Sequence, residues 1–238
     1  MITLLAETGF EGDEVRVEGD PYRHLFRARR AEVGEKLRVV DGRGPARWGT
    51  VTDVGRAAAL VTLSQPAPDN EPAFRLELLV TTLRPERASW MVEKATELGV
   101  SAIRFLNSAR APRELGGGTI ERMRRVAGAA VEQCHRSRVP DITGPHGWKE
   151  VGLLAEHAQG RWWLDTAAAE EGWGEIPGAS GNGSGVLLVG PEGGWSPEER
   201  DELLAGGMGD WRPVGLGPRV LRAETAAVVG TAFLMLGR

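Results

Sequence analysis

Two glycine-rich segments carry the residue types best suited to chemistry. In Val186-Leu-Leu-Val-Gly-Pro-Glu-Gly-Gly-Trp-Ser196 an apolar strand runs directly into a tight glycine turn. A helix follows at once, with capping-box spacing from Ser196 to Glu199. Glycines at such a junction let backbone amides approach a ligand and adopt positive φ. Ligands of α/β proteins bind beyond the carboxyl ends of strands. Three glycines with Pro191 and Glu192 among them exceed what a plain turn requires, so Gly190–Gly194 reads as a ligand loop. In Gly215-Leu-Gly-Pro-Arg-Val-Leu-Arg-Ala-Glu-Thr-Ala226 a second strand ends in a Gly-Pro loop, here bearing Arg219, Arg222 and Glu224. Val220 and Leu221, bracketed by the arginines, are expected to pack inward, which makes the strand end a working site. The plainer reading has the arginines solvated over buried stems, and Glu224 as a carboxylate favoured by the helix dipole.

The nucleotide and metal motifs are missing. There is no G-x-x-x-x-G-K-[ST], no G-x-G-x-x-G after a strand, no H-E-x-x-H and no paired cysteine cluster. The four histidines, at 24, 135, 146 and 157, are scattered, so no metal site is expected. Cys134, the single cysteine, sits in a helical stretch and reads as structural.

A third signal is basic. Across residues 22–47, Arg23, Arg27, Arg29, Arg30, Lys36, Arg38, Arg43 and Arg47 face only Glu32, Glu35 and Asp41. Arg104, Arg110, Arg113, Arg122, Arg124 and Arg125 form a second concentration. Of the 29 basic residues only Lys36, Lys94 and Lys149 are lysines. Arginine's planar fork suits bidentate contact with phosphate. The net charge of −4 is unevenly placed: residues 1–72 carry −2, 73–148 carry +4 and 149–238 carry −6. Two arginine runs in an acidic chain point to RNA rather than to a solvated face.

The elements that must position these groups fall into two patterns. Residues 1–66 read as short strands (Val15–Val17, Lys36–Val40, Gly49–Thr52, Ala58–Leu63) separated by turns, with a short helix over Tyr22–Arg30, which suggests a small β-barrel. Gln65–Pro72 has the composition of a linker. Beyond it strands alternate with helices, predicting an α/β layer with a mostly parallel sheet. Gly178–Gly185 reads as a flexible loop. The last helix, Ala223–Leu236, is apolar around most of its circumference and is expected to be buried in a core or against a second subunit. The opening MITLLAETGFEGDE lacks the basic region of a signal peptide. No apolar run approaches the roughly 20 residues that span a bilayer, and a cytoplasmic protein is expected.

Taken together, the segments resemble the ribosomal small-subunit methyltransferase E family of the SPOUT class. The matching pieces are His24-Leu25 with Arg30, Gly34, Asp41-Gly42, Glu93-Lys-Ala-Thr-Glu-Leu-Gly-Val100, and Glu132-Gln133 with Arg136 and Pro140. They continue with Gly190-Pro-Glu-Gly-Gly194, Glu198-Glu199 and Leu216-Gly-Pro-Arg-Val-Leu-Arg-Ala-Glu-Thr-Ala226. Two stretches depart from the family's pattern, Arg84-Pro-Glu-Arg87 and Asn107-Ser-Ala-Arg-Ala111.

The resemblance implies an RNA-binding PUA-like β-barrel over residues 1–70. It implies a SPOUT-type trefoil-knotted α/β domain with a parallel sheet over 73–238, which dimerises. The implied activity is methylation of N3 of a uridine in 16S rRNA of the small ribosomal subunit, with S-adenosyl-L-methionine as cofactor. The cofactor residues would be Leu164, Thr166, Val189, Gly190, Pro191, Glu192, Gly193, Gly194, Leu216, Gly217, Pro218, Val220, Leu221, Thr225 and Ala226. RNA would meet Arg23, His24, Arg27, Arg30 and Arg136. Arg222 is the preferred cation beside the forming uridylate, Arg219 the second candidate, and Glu224 a candidate proton acceptor. Rival readings are a SPOUT methyltransferase for another rRNA or tRNA nucleoside, and a non-catalytic rRNA-binding assembly factor.

Overall fold

A computed structural model of the protein describes all residues except 7–8, 11, 112–114, 169–181 and 237–238. Arg113 of the second arginine run and residues 178–181 of the glycine-serine loop lie outside the described residues. The chain divides into two compact units, Met1–Glu71 with Gly128–Val139, and Pro72–Ala127 with Pro140–Arg238.

The first unit is a curled five-stranded sheet of β1 (Thr3–Leu5), β2 (Glu14–Glu18), β3 (Lys36–Val40), β4 (Arg47–Val54) and β5 (Ala58–Pro66), in the order β1-β3-β4-β5-β2. Alternation makes the strands: Glu14–Glu18 buries Val15 and Val17 and exposes the residues between them. A short helix α1 (Gly19–Tyr22) and a π-helical turn (Arg23–Ala28) close one end, with Tyr22, Leu25 and Phe26 buried against Leu37, Val39 and Val61. The parallel strand β1 has no turn signal before it and escapes the sequence pattern.

Residues 128–139 join this unit, although the sequence reading placed all of 73–238 together. Val131 packs with Leu5, Val40, Ala46 and Ala67, and Glu132 accepts a hydrogen bond from the Leu5 amide at 2.8 Å. Arg38, 1 % exposed, donates to the Arg136 carbonyl at 2.9 Å and to Ser137 Oγ at 2.7 Å. Burial lowers the Arg38 pKa from its ordinary value, opposed by the nearby Asp69 and Glu71 carboxylates. Arg136 is itself buried and paired with Glu71 at 2.7 Å. The expectation that Arg136 meets RNA is therefore corrected: its guanidinium ties Glu71 to the loop beyond the helix. Helical periodicity marks an apolar face but not the unit it packs on.

The second unit is a six-stranded, wholly parallel sheet in the order β11-β9-β10-β6-β7-β8. Its strands are β6 (Arg75–Thr81), β7 (Ala102–Leu106), β8 (Asp141–His146), β9 (Gly160–Leu164), β10 (Ser184–Val189) and β11 (Arg212–Val214). Its helices are α2 (Pro85–Glu97), α4 (Val151–Ala155), α5 (Pro197–Leu204) and α6 (Ala223–Leu236), while α3 (Thr119–Cys134) runs through both groups of residues. The central strands read as unbroken apolar runs because both faces are covered; Leu187, Leu188 and Val186 are fully buried. Strand β8 contains Gly144-Pro145, residues that read as a break, yet proline is tolerated on an edge strand. Helices α2 and α6 pack against each other. No helix among the described residues is long and apolar enough to cross a membrane.

Candidate functional site

Strands β11, β9 and β10 are neighbours, so their carboxyl ends lie side by side although far apart in sequence. The loops that leave them enclose a cavity of about 410 Å³. Its lining includes Leu164–Ala167 after β9, Val189–Trp195 at the end of β10, and Leu216, Gly217, Arg219, Val220 and Leu221 after β11. Ala223 and Ala226 of α6, Val214, Arg200 and Arg110 complete it.

Local sequence shapes each wall. Gly190 and Pro191 end β10, the Gly194 amide donates back to the Pro191 carbonyl at 2.9 Å, and Gly194 sits at φ +68. Ser196 then caps α5, accepting from the Glu199 amide at 3.1 Å, with Pro197 in the first turn. Glu199 is buried and returns one oxygen to the Ser196 amide at 2.9 Å; the other accepts from the Ala109 amide at 2.8 Å. A single carboxylate thus caps the helix and fixes the loop bearing Arg110, whose Nη1 donates to the Gly193 carbonyl at 3.1 Å.

Trp195 links two of the walls. Its indole N–H donates to the Leu164 carbonyl at 2.9 Å, and its ring lies against Trp163 (6.1 Å, edge-on) and Trp148 (5.5 Å). Asp165 Oδ1 accepts from the Ala167 amide at 3.0 Å and Oδ2 pairs with Arg200 at 2.9 Å, which shapes the loop after β9. The Glu198 carboxyl in the first turn of α5 is held below its ordinary pKa. Its own backbone N–H is the main cause, followed by the Ser196 hydroxyl, with the Arg110 charge adding to the effect.

Of the cofactor residues expected from the sequence, Leu164, Thr166, Val189, Gly190–Gly194, Leu216, Gly217, Val220, Leu221 and Ala226 line this cavity, whereas Pro218 and Thr225 do not. Val220 is 80 % exposed, correcting the expectation that it packs inward; the open turn after Gly217 (φ +87) leaves it over the cavity rather than under the sheet. Arg219 lines the cavity. Arg222, exposed at the N-terminal boundary of α6, and Glu224, buried in its first turn, do not. Trp195, Arg200 and Arg110 were not foreseen as cavity residues, whereas Asp165 lies in the loop between Leu164 and Thr166, both expected there. Only the tryptophan carried a signal, following the glycine turn directly. In the first unit Arg23, His24, Arg27 and Arg30 are all exposed on or just after the π-helical turn. Arg23 pairs with Asp20, and Arg27 donates to the Arg56 carbonyl at 2.6 Å while lying 5.9 Å from the Tyr22 ring centre.

The sequence matches two domain families, an RNA methyltransferase domain over residues 70–235 and an RNA methyltransferase PUA domain over 17–64. Ribosomal RNA small subunit methyltransferase E of Bacillus subtilis is 33 % identical over 230 residues, covering 91 % of this chain and 87 % of that protein. Its counterpart from Mycobacterium bovis is 32 % identical over 235 residues, covering 90 % and 82 %. The crystal structure of the Neisseria gonorrhoeae ribosomal RNA small subunit methyltransferase E, bound to S-adenosyl methionine, superposes with a TM-score of 0.84 at 26 % identity, covering 98 % of this chain and 95 % of that one. A probable rRNA-methyltransferase from Porphyromonas gingivalis gives 0.78 at 26 % identity, covering 99 % and 98 %. A curled PUA-like sheet, a SPOUT-like parallel α/β unit and a glycine-walled cavity on adjacent strand ends, matched along nearly the whole chain, lead to one assignment: the chain belongs to the ribosomal RNA small subunit methyltransferase E family.

Proposed function

We propose that this protein is a cytoplasmic S-adenosylmethionine-dependent methyltransferase that modifies N3 of a uridine in 16S rRNA of the small ribosomal subunit. The observation that carries the reading is the cavity at the ends of β11, β9 and β10, in a chain that belongs to this family. Its residues fit the cofactor: about 410 Å³ lies within the roughly 300–1,000 Å³ of small-molecule sites. Leu164, Val189 and Leu216 offer apolar walls, and Gly190, Gly193, Gly194 and Gly217 present backbone without side chains.

When bound, the cofactor supplies an electrophilic methyl group. The loop residues hold it in place, and alignment of two reactants is worth up to roughly 7–11 kcal/mol. The protein must also favour loss of the N3 proton, and a cation beside the forming uridylate does so electrostatically. Arg219 takes that role in preference to Arg222, because Arg219 lines the cavity.

The barrel supplies affinity for RNA through Arg23, His24, Arg27, Arg29 and Arg30. Reversing charge with Arg27→Glu and Arg30→Glu is expected to weaken rRNA binding by about tenfold or more and to reduce the salt slope by about one to two units. Filter binding at several salt concentrations measures both, and unchanged affinity excludes the barrel assignment. The second unit is assigned a homodimer interface at α6, whose Val229, Phe233 and Leu236 are exposed at i, i+4 and i+7. Light scattering should give twice the chain mass for the native protein and a monomer for Val229→Asp/Phe233→Asp.

The test of the function itself is mass spectrometry of rRNA nucleosides from a deletion strain. Loss of 3-methyluridine from 16S rRNA supports the assignment. Its persistence, with loss of another methylated nucleoside, points to a different target. Calorimetry separates a non-catalytic binding factor, which takes up no S-adenosylmethionine.

A further inference from the structure

Arg87, in the first turn of α2, joins two acidic residues from distant parts of the second unit. Its Nη1 pairs with Glu192 Oε1 on the glycine loop, and its Nε lies 3.5 Å from Glu224 Oε1 in the first turn of α6. Exposure falls along this series: the Glu192 side chain is 52 % exposed, Arg87 27 % and Glu224 9 %. Glu192 lines the cavity, whereas Arg87 and Glu224 stand outside its lining. The second Glu224 oxygen, Oε2, is buried and accepts no hydrogen bond among the described residues. A carboxylate so placed is retained in a fold when an opposite charge compensates it, and here the opposite charge is Arg87.

The guanidinium is thus bound from the interior by Glu224 and reaches outward to the one charged side chain of the Gly190–Gly194 turn. That turn is otherwise held through its backbone, by the Gly194 amide on the Pro191 carbonyl and by Arg110 on the Gly193 carbonyl, and neither engages its one charged side chain. Glycines leave the backbone free, Gly194 adopts φ +68 with nothing within 4 Å of its missing Cβ, and Glu192 supplies its only long side chain.

We propose that Arg87 is a positioning residue for the cofactor loop: anchored on buried Glu224, it holds Glu192 and so presets the glycine turn for the cofactor. This rests on reading the cavity as the S-adenosylmethionine site. It makes Glu224 an anchor and not the proton acceptor, because a carboxylate outside the cavity lining does not reach a proton on a bound base.

The test is a double-mutant cycle on cofactor affinity, measured by calorimetry with S-adenosylmethionine on the full-length protein. Thermal melts check that each variant is folded. Removing Arg87 alone leaves Glu224 uncompensated, so the neutral pair Arg87→Met/Glu224→Gln accompanies Arg87→Ala. Either is expected to raise the dissociation constant about tenfold, and Glu192→Gln about fivefold, while kcat of Arg87→Ala at saturating cofactor and rRNA changes less than about twofold. Combining Glu192→Gln with the neutral pair should add less than about a further twofold, since both act through one contact. Fully multiplicative effects, or unchanged affinity, overturn the proposal while the cavity reading stands. A Glu224→Gln variant with normal affinity, lowered kcat and an altered pH profile also overturns it, in favour of proton transfer. If the wild-type protein takes up no cofactor, the cavity reading fails and the proposal with it.

Discussion

A single methyl group added at Gly190 is expected to weaken cofactor binding about a hundredfold. A Cβ there would lie 2.7 Å from Trp195 Cε2 and 2.9 Å from Cζ2. A flexible neighbour would yield, but this ring is planar, 9 % exposed and wedged among Trp163, Trp148 and the strand ends. Rotating it breaks the indole hydrogen bond to the Leu164 carbonyl and releases the loop after β9. The backbone of the glycine turn must shift instead. Overpacking of this kind costs about 1–3 kcal/mol of stability. A displacement near 1 Å at a positioning element costs about a hundredfold in function. Gly190→Ala should therefore raise the S-adenosylmethionine dissociation constant about a hundredfold in calorimetry and lower the melting temperature by several degrees. Gly193→Ala is the comparison, because its Cβ would meet Arg110 Cβ at an ordinary 3.5 Å, and its loss of affinity should be much smaller. Equal affinities for Gly190→Ala and the native protein would show that Trp195 does not set the loop.

Truncating Arg219 is expected to lower kcat by about a hundredfold to a thousandfold while leaving the cofactor dissociation constant within about threefold, the pattern of a lost charge-stabilising group. Arg219 follows the Gly217-Pro218 turn, lines the cavity, and makes no hydrogen bond or ion pair among the described residues, so its guanidinium is available to a developing anion. Arg110 and Arg200 also line the cavity but are engaged, with the Gly193 carbonyl and with Asp165. The assignment has a pH signature. Uridine N3–H is a weak acid, and the guanidinium favours its ionised form. Without that charge more alkaline solution must supply the uridylate, so raising the pH should recover part of the rate of Arg219→Ala. A variant whose rate is normal, or whose deficit is the same at every pH, removes Arg219 from this role. Arg222→Ala should lose less than about tenfold; a larger loss there than at Arg219 reverses the assignment of the two.

Much of this site is legible in the residue order. Gly-Pro-Glu-Gly-Gly after an apolar run, and Leu-Gly-Pro-Arg before an apolar helix, mark two strand ends where a backbone can come close to a ligand. Ser196-Pro-Glu-Glu199 announces the helix that follows, and the structure has α5 beginning at Pro197. What escapes local pattern is convergence. Arg110 and Arg200 look like any surface arginines, and Asp165 is marked only by the family resemblance that places Leu164 and Thr166 at the cofactor. Asp165 and its partner Arg200 meet the glycine loops because β9 lies between β11 and β10, and Arg110 meets them because Glu199 holds the neighbouring Ala109 amide; strand order is a property of the whole sheet. Burial is equally non-local: Arg136 and Arg30 are both arginines in basic stretches, yet one is 4 % exposed against Glu71 and the other stands in solvent.

Residue order alone specifies the two-part organisation, the parallel α/β class, the family and the glycine loops, because these depend on short-range periodicity, turn chemistry and residue type. Which arginine faces the cavity, the packing of residues 128–139 with the barrel, and the burial of Glu224 beside Arg87 are set only once the chain is folded. Those outcomes depend on which surfaces exclude water together. A charge next to an apolar residue in the chain can be solvated or buried, and the choice is made by elements a hundred residues away.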